Sequence, residues 1–401
     1  MTSIFHLVDT YRIGGPGKTI LNSARFVDRT RFQIGVAAFT PLDTRRSQFS
    51  AAVQRVRLPF LDLPETGRFN LHHAGRLRKH LREHHVDLLH THGYRSDVLG
   101  LVATRGLPVA LVTTHHGWIR NSRRQRVAAR LAIALSRWFD GVEVVSAPLL
   151  AELPRSVRES ERVAVVHNAL VLEDYVPRNY RESVRAGLGV HADSPLIAVI
   201  GRLSVEKGCL EMIEAFGELA GEDARLHLVF VGEGPLEFEL ARLARGRDWR
   251  DRLHLVGHQA AVQPFLEAAD LVVSPSRTEG LSNVILEALA FRRPVVATRV
   301  GGNPEIIEDG VCGLLVEPHR PQEIAEGIRR LLRDDLLRER CAENGRTRVA
   351  TAFSFEGRMR AEERFYERIL RARGARPSLV AADTGAAAAR PSARGGYPDA
   401  R

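Results

Sequence analysis

Lysine is almost missing from this chain of 401 residues: Lys18, Lys79 and Lys207 are the only three, and arginine supplies every other basic side chain. Such a bias acts on tolerant surface sites, so each lysine that persists against it is a residue to account for. Cysteine is equally scarce. Cys209, Cys312 and Cys341 stand far apart without paired metal-ligand spacing, which argues against a disulfide framework or a zinc site and fits a reducing compartment. No apolar run approaches the roughly 20 residues that span a bilayer, and MTSIFHLVDT has no charged segment before its short apolar run. The chain is therefore expected to be cytoplasmic. A formal charge of +10 favours anionic partners such as phosphates or acidic lipid surfaces. Nucleic acid is not expected, because no recognition motif accompanies the charge.

What is present has a βαβ rhythm. Short β-branched runs (IFHLV, VDLLH, ALVTT, VEVVS, VAVVH) alternate with amphipathic segments up to residue 167, and a second series (LIAVI, LHLVF, LHLVG, LVVSP, PVVAT) starts near residue 195. The pattern predicts two α/β domains in tandem, each with a parallel sheet. We place the first at 1–170 and the second at 171–352, joined by a hinge near 167–177 where proline and mixed polarity break both periods. Two helical stretches are expected after the last strand. Residues 373–401, rich in Ala, Gly, Pro and Arg, are expected to be disordered.

The stretch YRIGGPGKTILN (11–22) looks like a phosphate-binding P-loop and is not one. Counting five back from Gly17, the glycine before Lys18, gives Arg12 where a P-loop needs glycine. The loop still joins the first strand to the first helix, where free amides and the helix dipole favour an anion and Gly14, Gly15 and Gly17 let a ligand approach.

The densest chemistry lies in SPSRTEGLSNVILEALAF (274–291). LVVSPS reads as a strand end, TEGLS as a turn and NVILEALAF as a helix, which puts the turn at the crevice of a parallel sheet. Glu279 and Glu287 are eight residues apart, about 12 Å at ~1.5 Å per residue, far enough to hold two ends of a folded nucleotide-sugar. The amides of Gly280, Leu281 and Ser282 between them could receive a diphosphate. Glu287, within an apolar sequence, needs a partner; the bland alternative is an ion pair with Arg292 or Arg293, and for Glu279 it is helix capping. Upstream, IGRLSVEKG places Arg202 and Lys207 in a loop after a strand, two cations suited to two phosphate groups.

Taken in order, GRLSVEKG, VGEGPL, EGLSNVILE and PVVATRVGGNPEII resemble glycosyltransferase family 4, retaining enzymes of the two-Rossmann-domain GT-B fold. The resemblance runs over roughly residues 1–372. It implies that Arg202 and Lys207 bind the donor diphosphate, Glu287 the ribose hydroxyls and Glu279 the transferred sugar, with Gly15 across the cleft. It also implies that TTHHGW (113–118) carries a histidine that meets the donor sugar or acceptor; His116 fits that register and His115 is the runner-up. His92, in HTHGYRS, is a further acceptor-side candidate, and the helix around 353–372 should cross back to the first domain.

The implied activity is transfer of a sugar from a nucleoside-diphosphate sugar to a glycan, lipid-linked or small-molecule hydroxyl, in cell-surface polysaccharide or glycolipid synthesis. No Asp-x-Asp element is present, so no metal and no other cofactor is expected, and cations and helix amides must stabilise the leaving group. A nucleotide-sugar 2-epimerase and a catalytically silent nucleotide-sugar-binding scaffold remain as alternatives. The segment 118–139, rich in arginine and apolar residues, could rest on an anionic membrane surface and present a lipid-linked acceptor; its alternative is an ordinary domain helix with a basic solvated face.

Overall fold

The computed structural model describes residues 1–10, 14–40, 47–64, 71–118, 120 and 122–374. Tyr11–Ile13 of the glycine loop, Ile119 and Asn121 of the arginine-rich segment, and the tail beyond Gly374 lie outside the described residues.

Two parallel sheets organise the molecule. Seven strands form the first: β1 (Thr2–Val8), β2 (Phe32–Thr40), β3 (Phe60–Pro64), β4 (Leu88–His92), β5 (Ala110–His115), β6 (Gly141–Val144) and β7 (Val163–Val165), in the spatial order β3-β2-β1-β4-β5-β6-β7. Six form the second: β8 (Leu196–Ile200), β9 (His227–Val231), β10 (Leu253–Leu255), β11 (Leu271–Ser274), β12 (Val295–Thr298) and β13 (Leu314–Val316), ordered β10-β9-β8-β11-β12-β13. Every strand pairing is parallel, so each return needs a crossover, and the crossover helices cover both faces. The central strands accordingly read as continuous apolar runs; Leu196, Ile197 and Ala198 are all fully buried.

Strand order reverses direction between β1 and β4 in the first sheet and between β8 and β11 in the second. At such a switch point the crossovers leave to opposite faces and open a crevice beyond the strands' C-terminal ends. The loops after β1, β8 and β11, which hold Gly15, Lys207 and Glu279, all leave from these positions.

Three strands escape the periodicity of the sequence. β2 (FQIGVAAFT) contains glycine and two alanines, poor strand formers individually, and is held by burial on both faces. β3 and β13 are edge strands of five and three residues, too short to show a period. Among the described residues three helices, not two, follow β13: Pro321–Arg333, Asp335–Ala352 and Phe355–Ala372.

The last of these belongs to the first sheet by packing. Ser354 caps its start by accepting from the Gly357 amide at 3.2 Å. Its Met359, Phe365, Tyr366 and Ile369 are buried with Ile4, Leu88, Ala110 and Val112 of β1, β4 and β5. At about 1.5–3 kcal/mol for each large apolar side chain, this contact anchors the chain's end. The two segments that pass between the domains are tied together on the way. Leu170 donates to the Phe353 carbonyl at 3.0 Å, and Phe355 donates to the Leu170 carbonyl at 2.9 Å.

Candidate active site

The loop 201–208 and the turn 275–282 meet beyond β8 and β11. Gly208 makes that approach possible: its φ is 67°, and a β-carbon there would lie 1.8 Å from the Pro275 carbonyl oxygen. One pocket is lined by Arg202, Lys207, Ser276, Glu279, Ser282 and Val284. Inside it Lys207 Nζ donates to Glu279 Oε1 at 2.6 Å, and Ser276 Oγ donates to the same oxygen at 2.8 Å. Arg202 stays exposed at the rim. The sequence therefore brings Arg202, Lys207 and Glu279 into one place from segments more than 70 residues apart, and Glu279 serves no helix as a cap.

The cap is Ser282, whose hydroxyl accepts from the Ile285 amide at the start of the helix Asn283–Ala290. The helix thus begins after the residues expected to supply its first amides. Gly280 and Leu281 belong to the preceding turn, and their carbonyls accept from the Gly302 amide and from Asn168 Nδ2. With the Ile285 amide taken by the cap, the other first-turn amides of this helix are those of Asn283 and Val284.

Glu287 lies on the inner face of this helix, its side chain 4% exposed. Neither Arg292 nor Arg293 pairs with it; Arg292 pairs with Glu343 instead. Its partners are Lys18 Nζ at 2.7 Å and the Tyr175 hydroxyl at 3.0 Å. Lys18 stands on the first helix, Gly15–Phe26, so the ion pair closes across the cleft. Gly15 touches the same helix start, since a β-carbon on it would sit 2.7 Å from Asn283 Nδ2. The loop after β5 closes the other side: a β-carbon on Gly280 would come within 2.1 Å of the His116 carbonyl oxygen.

His116 alone of the three histidine candidates reaches this closure. His115, the last residue of β5, points to the opposite face by strand alternation, where it is buried, bonded to Ser136 Oγ at 2.9 Å and packed on Trp118. His92 is 4% exposed, and both its ring nitrogens are taken, Nδ1 by His116 at 3.1 Å and Nε2 by His6 at 3.0 Å. Its ring nitrogens are thus engaged with His6 and His116.

Beneath these rings is a buried polar layer. His90 bonds the Tyr366 hydroxyl at 2.7 Å and Thr114 Oγ1 at 2.6 Å. Arg358, on the returning helix, pairs with Glu143 at 3.1 Å and Glu362 at 3.0 Å, all three side chains essentially inaccessible. Burial pushes His6 and His115 down to about 4 and His116 to about 3, and holds His90 and His92 well below the ordinary range. Burial, reinforced by Glu362, pushes Glu143 up to about 8.

These shifts make an acid limb in stability. A histidine with a depressed folded value binds fewer protons folded than unfolded, so its contribution is present above about pH 6.5 and is lost as pH falls through about 4. Glu143 acts oppositely, its contribution present below the unfolded value and lost as pH rises through about 8. Burial also pushes His80 and His254 down to about 4 and Asp97 up to about 6, so seven histidines act against two acids. The thermal midpoint is expected to be lower at about pH 5 than at about pH 7, with a return on neutralisation; a flat or rising midpoint by calorimetry contradicts the assignment.

Sequence inspection missed Lys18, Tyr175, His6 and the Arg358 layer. Only Lys18 carried a signal, as one of three lysines in an arginine-biased chain.

Two facing parallel α/β domains, with a cation-lined pocket at the second switch point, define the GT-B class of glycosyltransferases. Residues 13–174 match the family described as Glycosyltransferase Family 4 and residues 181–348 match Glycosyl transferases group 1, and the chain belongs to glycosyltransferase family 4. It is 31% identical over 342 residues to an alpha-D-kanosaminyltransferase of Streptomyces kanamyceticus, covering 78% of this chain and 88% of that one. A D-inositol 3-phosphate glycosyltransferase of Xylanimonas cellulosilytica is 32% identical over 308 residues, 71% of this chain and 73% of the relative. Among solved structures, Anabaena HepE in complex with UDP and glucose superposes with a TM-score of 0.80 at 21% identity, over 92% of this chain and 100% of that chain. The protein is a glycosyltransferase; relatives named for sugar transfer give the epimerase alternative no support.

Proposed function

We propose that the enzyme binds a nucleoside-diphosphate sugar in the cleft and transfers the sugar to a hydroxyl acceptor with retention of configuration and without a metal. Arg202 and Lys207 take the diphosphate, helped by the amides of Asn283 and Val284. Glu279 takes the sugar hydroxyls, Glu287 the ribose, and His116 the sugar or acceptor from the opposite wall. The supporting observation is the convergence of Arg202, Lys207 and Glu279 in one pocket at the second switch point. The two lysines now occupy the two carboxylates at 2.6 and 2.7 Å. A donor would draw Lys207 toward phosphate and free Glu279 for hydroxyls, while Glu287 would meet the ribose only by exchanging Lys18 for it. Fixed cations then stabilise the charge that grows on the departing diphosphate, which is the step they are placed to accelerate.

A panel of uridine, guanosine and adenosine diphosphate sugars tests the donor by mass action. One donor at 100 times its dissociation constant is expected to stabilise the fold by about 2.7 kcal/mol. A thermal midpoint unmoved by every member of the panel removes the proposal, and full turnover in EDTA is expected of a metal-independent site.

For the acceptor, one surface favours a lipid-linked molecule. No helix among the described residues is long and apolar enough to cross a membrane. On and just beyond the helix Arg123–Leu135, however, Val127, Leu131 and Trp138 are 54, 45 and 66% exposed, among the exposed Arg123, Arg124, Arg126, Arg130 and Arg137. Apolar side chains flanked by arginines suit the interface of an anionic bilayer. The protein is expected to sediment with vesicles containing acidic lipid and not with neutral ones, and Trp138→Glu to weaken that binding. Equal, negligible binding to both ends the membrane proposal.

A further inference from the structure

We propose that His6, His92 and His116 form one hydrogen-bonded unit, directed by Glu362, that leaves Nδ1 of His116 as a hydrogen-bond acceptor beside the wall its backbone carbonyl forms with Gly280. The inference deepens the proposed function and rests on it for the identity of the hydroxyl that His116 would meet. The unit itself is geometric. His6 Nδ1 lies 3.0 Å from His92 Nε2, and His92 Nδ1 lies 3.1 Å from His116 Nε2. Successive rings lie edge to edge, 19° and 27° from coplanar, with centroid separations of 5.3 and 5.4 Å. Strand register produces the row: β1 and β4 pair with Val8 opposite His92 and His6 opposite His90, so His6 and His92 share a face one step apart. His116 follows β5 directly.

A neutral imidazole has one donor and one acceptor, so three neutral rings in a row have only two consistent proton arrangements. In one, each ring carries its proton on Nε2, and His116 is left with a bare Nδ1. In the other, each carries it on Nδ1, and His116 offers an N–H instead. The choice is made at the far end. There His6 Nε2, Glu362 Oε1 and Arg358 Nε are all buried without a hydrogen-bond partner, so an acceptor and a donor compete for the end of the row. Glu362 is otherwise fixed by Ser23 Oγ at 3.3 Å and by Arg358. Its charge acts on His6 more strongly than that of Arg358, which opposes it. A carboxylate favours an N–H toward it over a lone pair, and one buried water between them would satisfy both orphaned atoms. The proton therefore sits on His6 Nε2, His6 Nδ1 accepts from His92, His92 Nδ1 accepts from His116, and His116 Nδ1 is the lone pair that remains. Burial, which keeps all three rings neutral, is what preserves the order.

His6, His90 and His92 also place ligand-capable atoms within 4.8 Å of one another, the spacing of a metal site. His90 spends both nitrogens on Tyr366 and Thr114, and His6 and His92 spend their facing nitrogens on each other. Hydrogen bonding accounts for the cluster as it stands.

The test is the tautomer. The full chain labelled with 15N-histidine is examined by long-range proton–nitrogen correlation near pH 7, with His116→Asn, His92→Asn and His6→Asn giving the assignments. The Nε2–H form is expected at all three rings. An Nδ1–H form at any of them, an imidazolium, or signals moved by stoichiometric metal overturns the proposal. In turnover assays His6→Phe, which cannot accept from His92, is expected to lower kcat about tenfold. His6→Asn, whose Oδ1 replaces the lost acceptor, is expected to recover most of that loss. Equal losses in both variants would mark His6 as a packing residue and remove its directing role. The tautomer is read without substrate, so it stands or falls separately from the donor panel.

Discussion

Replacing Lys207 by alanine is expected to lower kcat/KM by about 10³-fold while leaving the fold intact. The side chain is one-third exposed, so its loss opens no core cavity. What is lost is the cation beside Glu279 and, in the proposed complex, the charge opposite the departing diphosphate. The residue left behind makes matters worse: Glu279 is 11% exposed and keeps only the Ser276 hydroxyl as a partner to the same oxygen. A carboxylate without its cation repels the phosphates that must bind beside it. Lys207→Arg is expected to recover only part of the activity, because a planar fork replaces a point charge in a pocket where Arg202 is already present. Initial rates at saturating acceptor decide the matter, with thermal unfolding as the control for folding. A Lys207→Ala enzyme within about threefold of the parent would mean that the pocket is not where chemistry occurs.

Replacing Arg358 by methionine is expected to cost about 3–5 kcal/mol of stability. Arg358 is 1% exposed and sits between Glu143 and Glu362, which are no more exposed than it is. Removing the cation strands two carboxylates in the interior under the first sheet. They respond by taking up protons, which Glu143 is already disposed to do with its pKa near 8. The destabilisation is therefore expected to be larger at about pH 8 than at about pH 5, the reverse of the parent's histidine-driven trend. Replacing all three residues together by apolar side chains of similar volume should restore most of the loss, since a buried ion triad gains little over good packing. Urea midpoints at the two pH values measure each of these outcomes. An Arg358→Met protein as stable as the parent at pH 8 would show that the layer is hydrated.

The second domain was the more legible half because its chemistry is local. GRLSVEKG and SPSRTEGLSN each follow a strand directly, so the alternation of apolar and polar residues already puts Lys207 and Glu279 at a strand's C-terminal end. The choice between His116 and His115 was harder from sequence. It depends on which face of β5 the strand's last residue meets, and the structure puts His115 against Ser136. The surroundings of His92 were hidden for a similar reason: nothing in HTHGYRS announces that His6, 86 residues earlier, bonds its second nitrogen. Glu287 needed a partner, as its apolar surroundings required, but that partner came from 269 residues away and not from the adjacent arginines. Register between strands and closure between domains are properties of the folded chain, and side chains that depend on them leave no spacing to find.

The paired passage at Leu170 and Ser354 limits how this enzyme can open. Two independent tethers would let the halves slide and twist freely, whereas strands laced to each other behave as the spine of a book. A hinge about that spine would separate Lys18 from Glu287 more than Asn168 from the Leu281 carbonyl that it bonds.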